Sequence, residues 1–305
     1  MCGIVGLFAK SPEVEEHLGA HLGAMLGQMA DRGPDSAGIA LYRDPAPAGS
    51  TKLSLFSEDP DEDWSALGAA TVHASHAVVV LDGEAPEVEA RLRAERPDLR
   101  IMSAGQRIEI FKEEGDPRGF VERFGLAAMS GSHGLGHTRM ATESRVTTEG
   151  AHPFSTGLDL CLVHNGSLSN HNRLRRMLRR EGIAFQTEND TEVAAGFLEW
   201  RLREGDTLQA ALERCLVELD GFYTFAVGTA DGFAVLRDPI ACKPAVMAEN
   251  DDWVAMASEY RAISVLPGAD SAAVWEPEPA RVYSWERRGD REASPGARPL
   301  AGTGV

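Results

Sequence analysis

Cysteine at position 2, directly after the initiator methionine, is the residue of this chain best suited to covalent chemistry. Its small side chain favours removal of Met1, which would leave a thiol and a free α-amino group on one Cα. An α-amino group titrates at about 7.7–8.0, far below a lysine, so much of it is available as a base near neutral pH. A thiol attacks as its thiolate and needs such a base close by. Nucleophile and base would then belong to one residue. Alone, the position reads as well as a small buried residue before a strand. Five further segments are built from polar and turn-forming residues: Arg32-Gly33-Pro34-Asp35-Ser36-Ala37-Gly38, Gly136-His137-Thr138-Arg139-Met140-Ala141-Thr142, His164-Asn165-Gly166-Ser167-Leu168-Ser169-Asn170, Asn189-Asp190-Thr191-Glu192 and Arg237-Asp238-Pro239-Ile240-Ala241-Cys242-Lys243-Pro244. Singly, Asn165 before Gly166 is a turn pair, and Asp190 a helix cap.

The elements that must position these segments follow from hydrophobic spacing. Ile4–Phe8 is a short apolar strand, and Ser11-Pro12 opens a helix with serine at the cap and proline in the first turn. Val14, Leu18, Leu22, Met25, Leu26 and Met29 recur at three- and four-residue steps, a core-facing stripe in which the methionines are filler. Ala37–Tyr42 is a second strand. Between 44 and 132, Leu53–Phe56, Ala77–Leu81 and Arg107–Phe111 read as strands, Glu87–Glu95 and Arg118–Phe124 as helices. His171–Glu181 forms a helix with Leu174, Met177 and Leu178 inward and five arginines around it, a basic face expected in solvent. Glu192–Arg203 and Leu208–Leu219 are amphipathic helices, with Cys215 in the second one's core stripe. Phe222–Thr229, Phe233–Arg237 and Trp253–Ala257 return to strand. Strands at both ends with consecutive helices between them imply an α+β layered domain rather than βαβ units.

Bulk properties exclude several classes. The 305 residues suffice for a sizeable core. No apolar run approaches the ~18 residues of a membrane span. No basic and apolar leader begins the chain, so the sequence reads as cytoplasmic. Four cysteines at unrelated spacings, Cys2, Cys161, Cys215 and Cys242, indicate neither a disulfide framework nor a zinc site. His73 and His76, three apart in one apparent strand, would face opposite sides of a sheet and so hold no metal. A formal net charge of −17 opposes binding to nucleic acid or anionic membranes.

Together with Met1-Cys2-Gly3-Ile4-Val5-Gly6, the five segments in this order resemble the class II glutamine amidotransferases. The resemblance extends from residue 2 to about 265, apart from 44–132. It implies the N-terminal nucleophile hydrolase fold, a four-layer αββα sandwich of two mainly antiparallel sheets. It also implies that Cys2 attacks the glutamine side-chain amide, with its own α-amine as base and then as acid for the departing ammonia. By the same resemblance the Asn165 amide and the Gly166 N–H form the oxyanion hole, and Arg139 binds the substrate α-carboxylate, which a guanidinium matches with two donors. Thr142 adds a hydrogen bond to that carboxylate, and Asp190 pairs with the α-ammonium. Arg32 positions the cysteine, while His137, Asp35 and His164 brace loops. Glu143–His152 corresponds to a loop that closes over bound glutamine. Cys242 is structural.

One domain is expected over 2–285, with an insertion around 44–132 and a loose tail over 286–305. The wording of the Arg32 and His137 segments, with the long insertion, is most similar to the separate amidotransferase subunits of glutamate-synthase-type enzymes such as N-methylglutamate synthase. That implies ammonia transfer to synthase subunits on other chains, with no cofactor in this chain and FMN and iron–sulfur groups only on a partner. Two alternatives stay open: a stand-alone γ-glutamyl or amide hydrolase of the same nucleophile class, and a non-catalytic regulatory subunit.

Overall fold

A computed structural model of the chain describes residues 2–141 and 146–287. In chain order the first part contains β1 (Gly3–Ala9), α1 (Pro12–Glu16), α2 (Leu18–Gln28), β2 (Ser36–Tyr42), β3 (Ser50–Phe56), β4 (Ala70–His73), β5 (His76–Asp82), α3 (Ala85–Glu95), β6 (Arg100–Gly105), β7 (Ile108–Glu114), α4 (Phe120–Arg123) and β8 (His133–Arg139). The second part contains β9 (Cys161–Leu168), α5 (His171–Arg180), α6 (Asp190–Arg203), α7 (Leu208–Glu218), β10 (Gly221–Thr229), β11 (Gly232–Arg237), β12 (Val246–Glu249), β13 (Trp253–Ala257), α8 (Tyr260–Ile263), β14 (Ala273–Trp275) and β15 (Val282–Glu286).

Two antiparallel sheets make the body. The first runs β14-β12-β13-β1-β8-β2-β7 and the second β15-β11-β10-β9. They pack face to face through Ile4, Phe8, Tyr42, Leu135, Val163 and Phe233. The predicted stripe on α1 and α2 is buried against the outer face of the first sheet, together with Trp253 and Ala255. Leu174, Leu178, Phe197 and Leu212 from α5, α6 and α7 cover the outer face of the second. The layer order is therefore helix, sheet, sheet, helix. This is the αββα fold that the resemblance implied.

A third sheet, β4-β5-β3-β6, was not foreseen. With α3 it carries its own small core of Leu53, Leu55, Trp64, Val79, Val88 and Leu92. It is built from residues 50–105, a shorter piece than 44–132, because β7 returns to pair with β2 at the edge of the first sheet. His73 and His76 do not share a strand. They end β4 and begin β5 across a two-residue turn, where Ala74 has φ 49°, and they face each other in register. Their rings sit edge-on to Phe111, so they pack as aromatics. Among the described residues no group of three or more His, Cys, Asp or Glu could hold a metal.

Two further expectations need correction. Arg175, assigned to a solvated basic face, is buried: its guanidinium donates to the carbonyls of Thr187 and Asn189. Glu286, placed at the start of the tail, belongs to β15 and pairs with Gly232 of β11. Residues 288–305 of the expected tail lie outside the described residues. No helix among the described residues is long and apolar enough to cross a membrane.

Candidate active site

Cys2 immediately precedes β1, at the end of the strand where β8 also finishes. Gly3 pairs with Thr138 in the β1–β8 register, which brings the end of β8 beside Cys2. The Met140 backbone N–H lies 3.4 Å from Cys2 Sγ. Arg32 donates through Nε to the Cys2 carbonyl at 3.0 Å and pairs through a second nitrogen with Glu259. Glu259 also meets Arg261 at 2.8 Å. The Arg32 hydrogen bond, ahead of any other cause, holds the Glu259 carboxyl below its ordinary value. Gly33 lets this loop lie on β8, since a Cβ there would stand 2.3 Å from the Thr138 carbonyl carbon.

Asn165 reaches Cys2 from the second sheet. Its Nδ2 donates to the Cys2 carbonyl and to Ser258 Oγ, both at 3.1 Å. His137 Nε2 is 3.2 Å from Asn165 Oδ1 and 3.2 Å from the His164 carbonyl. Both partners are acceptors, so the proton must be on Nε2, and the Asn165 NH2 is thereby turned toward Cys2. A second chain of bonds runs behind it. The His164 backbone N–H donates to His152 Nδ1 at 3.3 Å, so His152 carries its proton on Nε2 and donates to Thr191 Oγ1 at 3.3 Å. Thr191 then donates to His164 Nδ1 at 3.0 Å. The His137 and His152 rings stack at 4.0 Å. Burial pushes His137 down to about 3 and lowers both His152 and His164. All three imidazoles are neutral at pH 7 and act as hydrogen-bonding posts.

Gly166 follows Asn165 with φ 149°. A Cβ there would stand 1.9 Å from the Phe222 carbonyl oxygen, so only glycine fits. Asp190 is the first residue of α6 and accepts from the Leu168 N–H at 2.9 Å. The cap is Asn189 rather than Asp190: Asn189 Oδ1 accepts from Thr191 N at 2.8 Å. The Asp190 carboxylate is thus carried at a helix start, within 4.0 Å of His164 Nδ1. Arg139 ends β8, is buried, and has its guanidinium close to Gly150. Thr142, together with 143–145 of the expected mobile loop, lies outside the described residues.

Several residues around this site carried no signal as isolated letters. Ser258, just after β13, accepts from both the Ile4 N–H at 2.9 Å and Asn165. Lys112 of β7 is buried, with Nζ donating to the carbonyls of Glu149 at 3.0 Å and Ala151 at 3.1 Å, and standing 4.7 Å over the Phe154 ring. Desolvation brings that amine down to about 8. It fixes the segment that carries His152. Long-range contacts of this kind leave no periodic trace.

The sandwich, with a cysteine at the start of a central strand and an asparagine amide aimed at it, defines a class II glutamine amidotransferase of the N-terminal nucleophile type. Comparison with known proteins gives the family. A family model described as a glutamine amidotransferase domain matches residues 137–265. The glutamine amidotransferase-like protein GlxB of Rhizobium meliloti (strain 1021) is 56% identical, with 94% of this chain and 99% of that protein covered. A putative glutamine amidotransferase of Methanothermobacter thermautotrophicus is 30% identical over 94% of this chain and 100% of that protein. The chain belongs to the glutamine amidotransferase family and is an enzyme of that class. The fold is shared with a solved glutamine phosphoribosylpyrophosphate amidotransferase from B. subtilis at TM-score 0.60 and 21% identity, covering 93% of this chain and 49% of that one.

Proposed function

We propose that the chain is the glutaminase component of a two-part enzyme, hydrolysing the glutamine side-chain amide through a thioester on Cys2. The mature N-terminal amine takes the thiol proton, and the thiolate adds to the amide carbon. Asn165 Nδ2, exchanging one of its two resting bonds to the Cys2 carbonyl and Ser258 Oγ, and the Gly166 N–H receive the developing oxyanion. The ammonium returns its proton to nitrogen as the C–N bond breaks, releasing ammonia and leaving a γ-glutamyl thioester. Water then hydrolyses the thioester to glutamate and restores the thiol. Arg139 and Asp190 grip the α-carboxylate and α-ammonium, with Thr142 assisting, while Arg32, His137 and His164 hold the frame.

The observation that carries this reading is the Asn165 amide held 3.1 Å from the Cys2 carbonyl, with its orientation set by His137. The electrostatics support it too. Each imidazole around the cysteine is buried and has a lowered pKa, so none is suited to take the thiol proton near neutrality, and the α-amine is the remaining base.

The ammonia acceptor is read as a glutamate-synthase-type partner on separate chains, making glutamate or N-methylglutamate, with FMN and iron–sulfur groups on that partner. Matched length supports only that the amidotransferase unit occurs as a chain of its own, GlxB being covered over 99% of its length and a glutamine–fructose-6-phosphate aminotransferase from Bradyrhizobium diazoefficiens over 31%. The acceptor class rests on the wording of the Arg32 and His137 segments. The test is glutamate release from glutamine by the purified chain and by a Cys2→Ala variant, each with and without co-purified polypeptides. Cys2-dependent release that increases with a partner supports the two-part enzyme. Faster cleavage of γ-glutamyl dipeptides than of free glutamine would favour the stand-alone hydrolase, and silence in every arm the regulatory subunit.

A further inference from the structure

A cleft of about 770 Å3 lies away from Cys2, where the added third sheet meets the amidotransferase body. One wall is β6 with Ile101 and Met102. The opposite wall is α6 with Leu202, and the loop with Leu158 and Leu160 closes the side. Leu158 is 57% exposed at the rim, an apolar side chain with no cover among the described residues. The volume falls within the ~300–1,000 Å3 typical of small-molecule sites, and the mix of apolar walls with a few polar groups is also typical. The third sheet creates this cleft. Without β6 and α3, the α6 wall would be open surface.

The charged groups facing the cleft are almost all satisfied. Glu89 pairs with Arg93 on α3 at 2.6 Å. Glu192 accepts from the backbone N–H groups of Gln186 at 2.6 Å and Thr187 at 2.8 Å, and from Thr187 Oγ1 at 2.7 Å. Arg203 donates to the Glu181 carbonyl. Glu199 is different. It takes part in none of the ion pairs found among the described residues, and its stem lies against Gly157, where a Cβ would come within 3.1 Å. Burial outweighs the Thr156 hydrogen bond and the attraction of Arg203 and, with a smaller push from Glu89, raises its carboxyl to about 7. A half-buried carboxyl in a largely apolar cleft, with only a hydroxyl partner and no ion pair among the described residues, has the sign and remaining hydrogen-bonding capacity for an organic ammonium group.

We propose that this cleft is a second small-molecule site, taking a compound with an apolar body and a primary ammonium head that pairs with Glu199. The site is independent of the Cys2 chemistry, and its failure would leave that chemistry untouched. Binding requires Glu199 to be ionised, so the fraction of carboxyl protonated before binding leaves as free protons. Burial raises the carboxyl, so part of it is protonated at pH 7.

The test is titration calorimetry of the full chain at pH 7 with n-hexylamine, 1-hexanol and hexanoate, in two buffers of different ionisation heat. The expected result is saturable binding of hexylamine, about tenfold or more tighter than hexanol, since a hydrogen bond to a charged group contributes roughly that factor. A fraction of a proton should be released per site, and hexanoate should bind weakest. Glu199→Gln should weaken the amine about tenfold and abolish proton release, with glutamine hydrolysis unchanged. Leu158→Arg, at an exposed position, should weaken the amine and spare the alcohol, and serves if the first variant does not fold. Equal binding of amine and alcohol, an unchanged Glu199→Gln titration, or no saturable amine binding would overturn the proposal.

Discussion

Replacing Asn165 by alanine isolates the oxyanion contribution. Asn165 Nδ2 is 3.1 Å from the Cys2 carbonyl, beside the atoms that react, and Oδ1 takes the His137 proton at 3.2 Å. Truncation removes the donor. It does not orphan His137, because the His164 carbonyl also lies 3.2 Å from Nε2. Ser258 Oγ keeps its bond from the Ile4 N–H at 2.9 Å. The folding penalty is therefore limited to the lost side-chain bonds, about 1–2 kcal/mol. The catalytic penalty is larger: loss of one oxyanion donor typically costs ~10²–10³ in kcat, or about 3–4 kcal/mol, with little change in ground-state binding. Steady-state glutamate release should show kcat reduced by about that factor with KM nearly unchanged, and a thermal melt should show the variant folded. A kcat within about threefold of wild type in a folded Asn165→Ala protein would refute the assignment, since so small a loss is well below one preorganised donor.

Other outcomes follow from the same geometry. Gly166→Ala should be inactive and less stable, because its Cβ would collide with the Phe222 carbonyl at 1.9 Å; circular-dichroism melting and activity report both. Arg32→Met should lower kcat by about tenfold through loss of the 3.0 Å bond to the Cys2 carbonyl, a charge-assisted bond of about 1.5 kcal/mol. Arg175→Met should destabilise the fold by about 2–3 kcal/mol in urea titration, because two backbone carbonyls lose a buried cationic donor; it should also raise KM for glutamine through the displaced start of α6. Acid sensitivity has a defined sign. His76, His133 and His137 are each pushed down to about 3 by burial, against about 6.5 when unfolded. Their neutral forms therefore contribute full stability above pH 6.5, lost as pH falls from there toward 3. Unfolding free energies from urea titration should drop steadily between pH 7 and pH 5, by on the order of 1–2 kcal/mol per histidine, and replacing His133 with glutamine should flatten the slope.

Much of the frame was legible in the sequence because short-range rules dominate there. The Ser11-Pro12 start, the Val14–Met29 stripe and the strand Trp253–Ala257 follow from capping and periodicity, and all lie where expected. The third sheet was partly visible as Leu53–Phe56 and Ala77–Leu81. β4 and β6 were not seen, because Ala70–His73 and Arg100–Gly105 lack clean alternation. The His73–His76 error has the same root: a two-residue turn through Ala74 carries no glycine, asparagine or proline to announce it. Arg175 was misplaced because an arginine-rich helix reads as solvated, while its destination, the carbonyls of 187 and 189, is set by tertiary packing. Ser258, His152, Thr191 and Lys112 lie 93, 13, 26 and 53 residues from Asn165 in sequence, so contact among them is a property of the sandwich.

The most direct test of the nucleophile is to inactivate the purified protein with an electrophilic glutamine analogue, a chloroketone, and map the adduct by mass spectrometry. The expected result is loss of Met1, which the small Cys2 side chain favours, with one adduct per chain on Cys2, protection by glutamine, and no labelling of the Cys2→Ala variant. Buried Cys161 and Cys215 should stay unmodified, and exposed Cys242 is the internal control for nonspecific alkylation. Glutamine-protected labelling at Cys242, or undiminished glutamine hydrolysis by Cys2→Ala, would contradict the account.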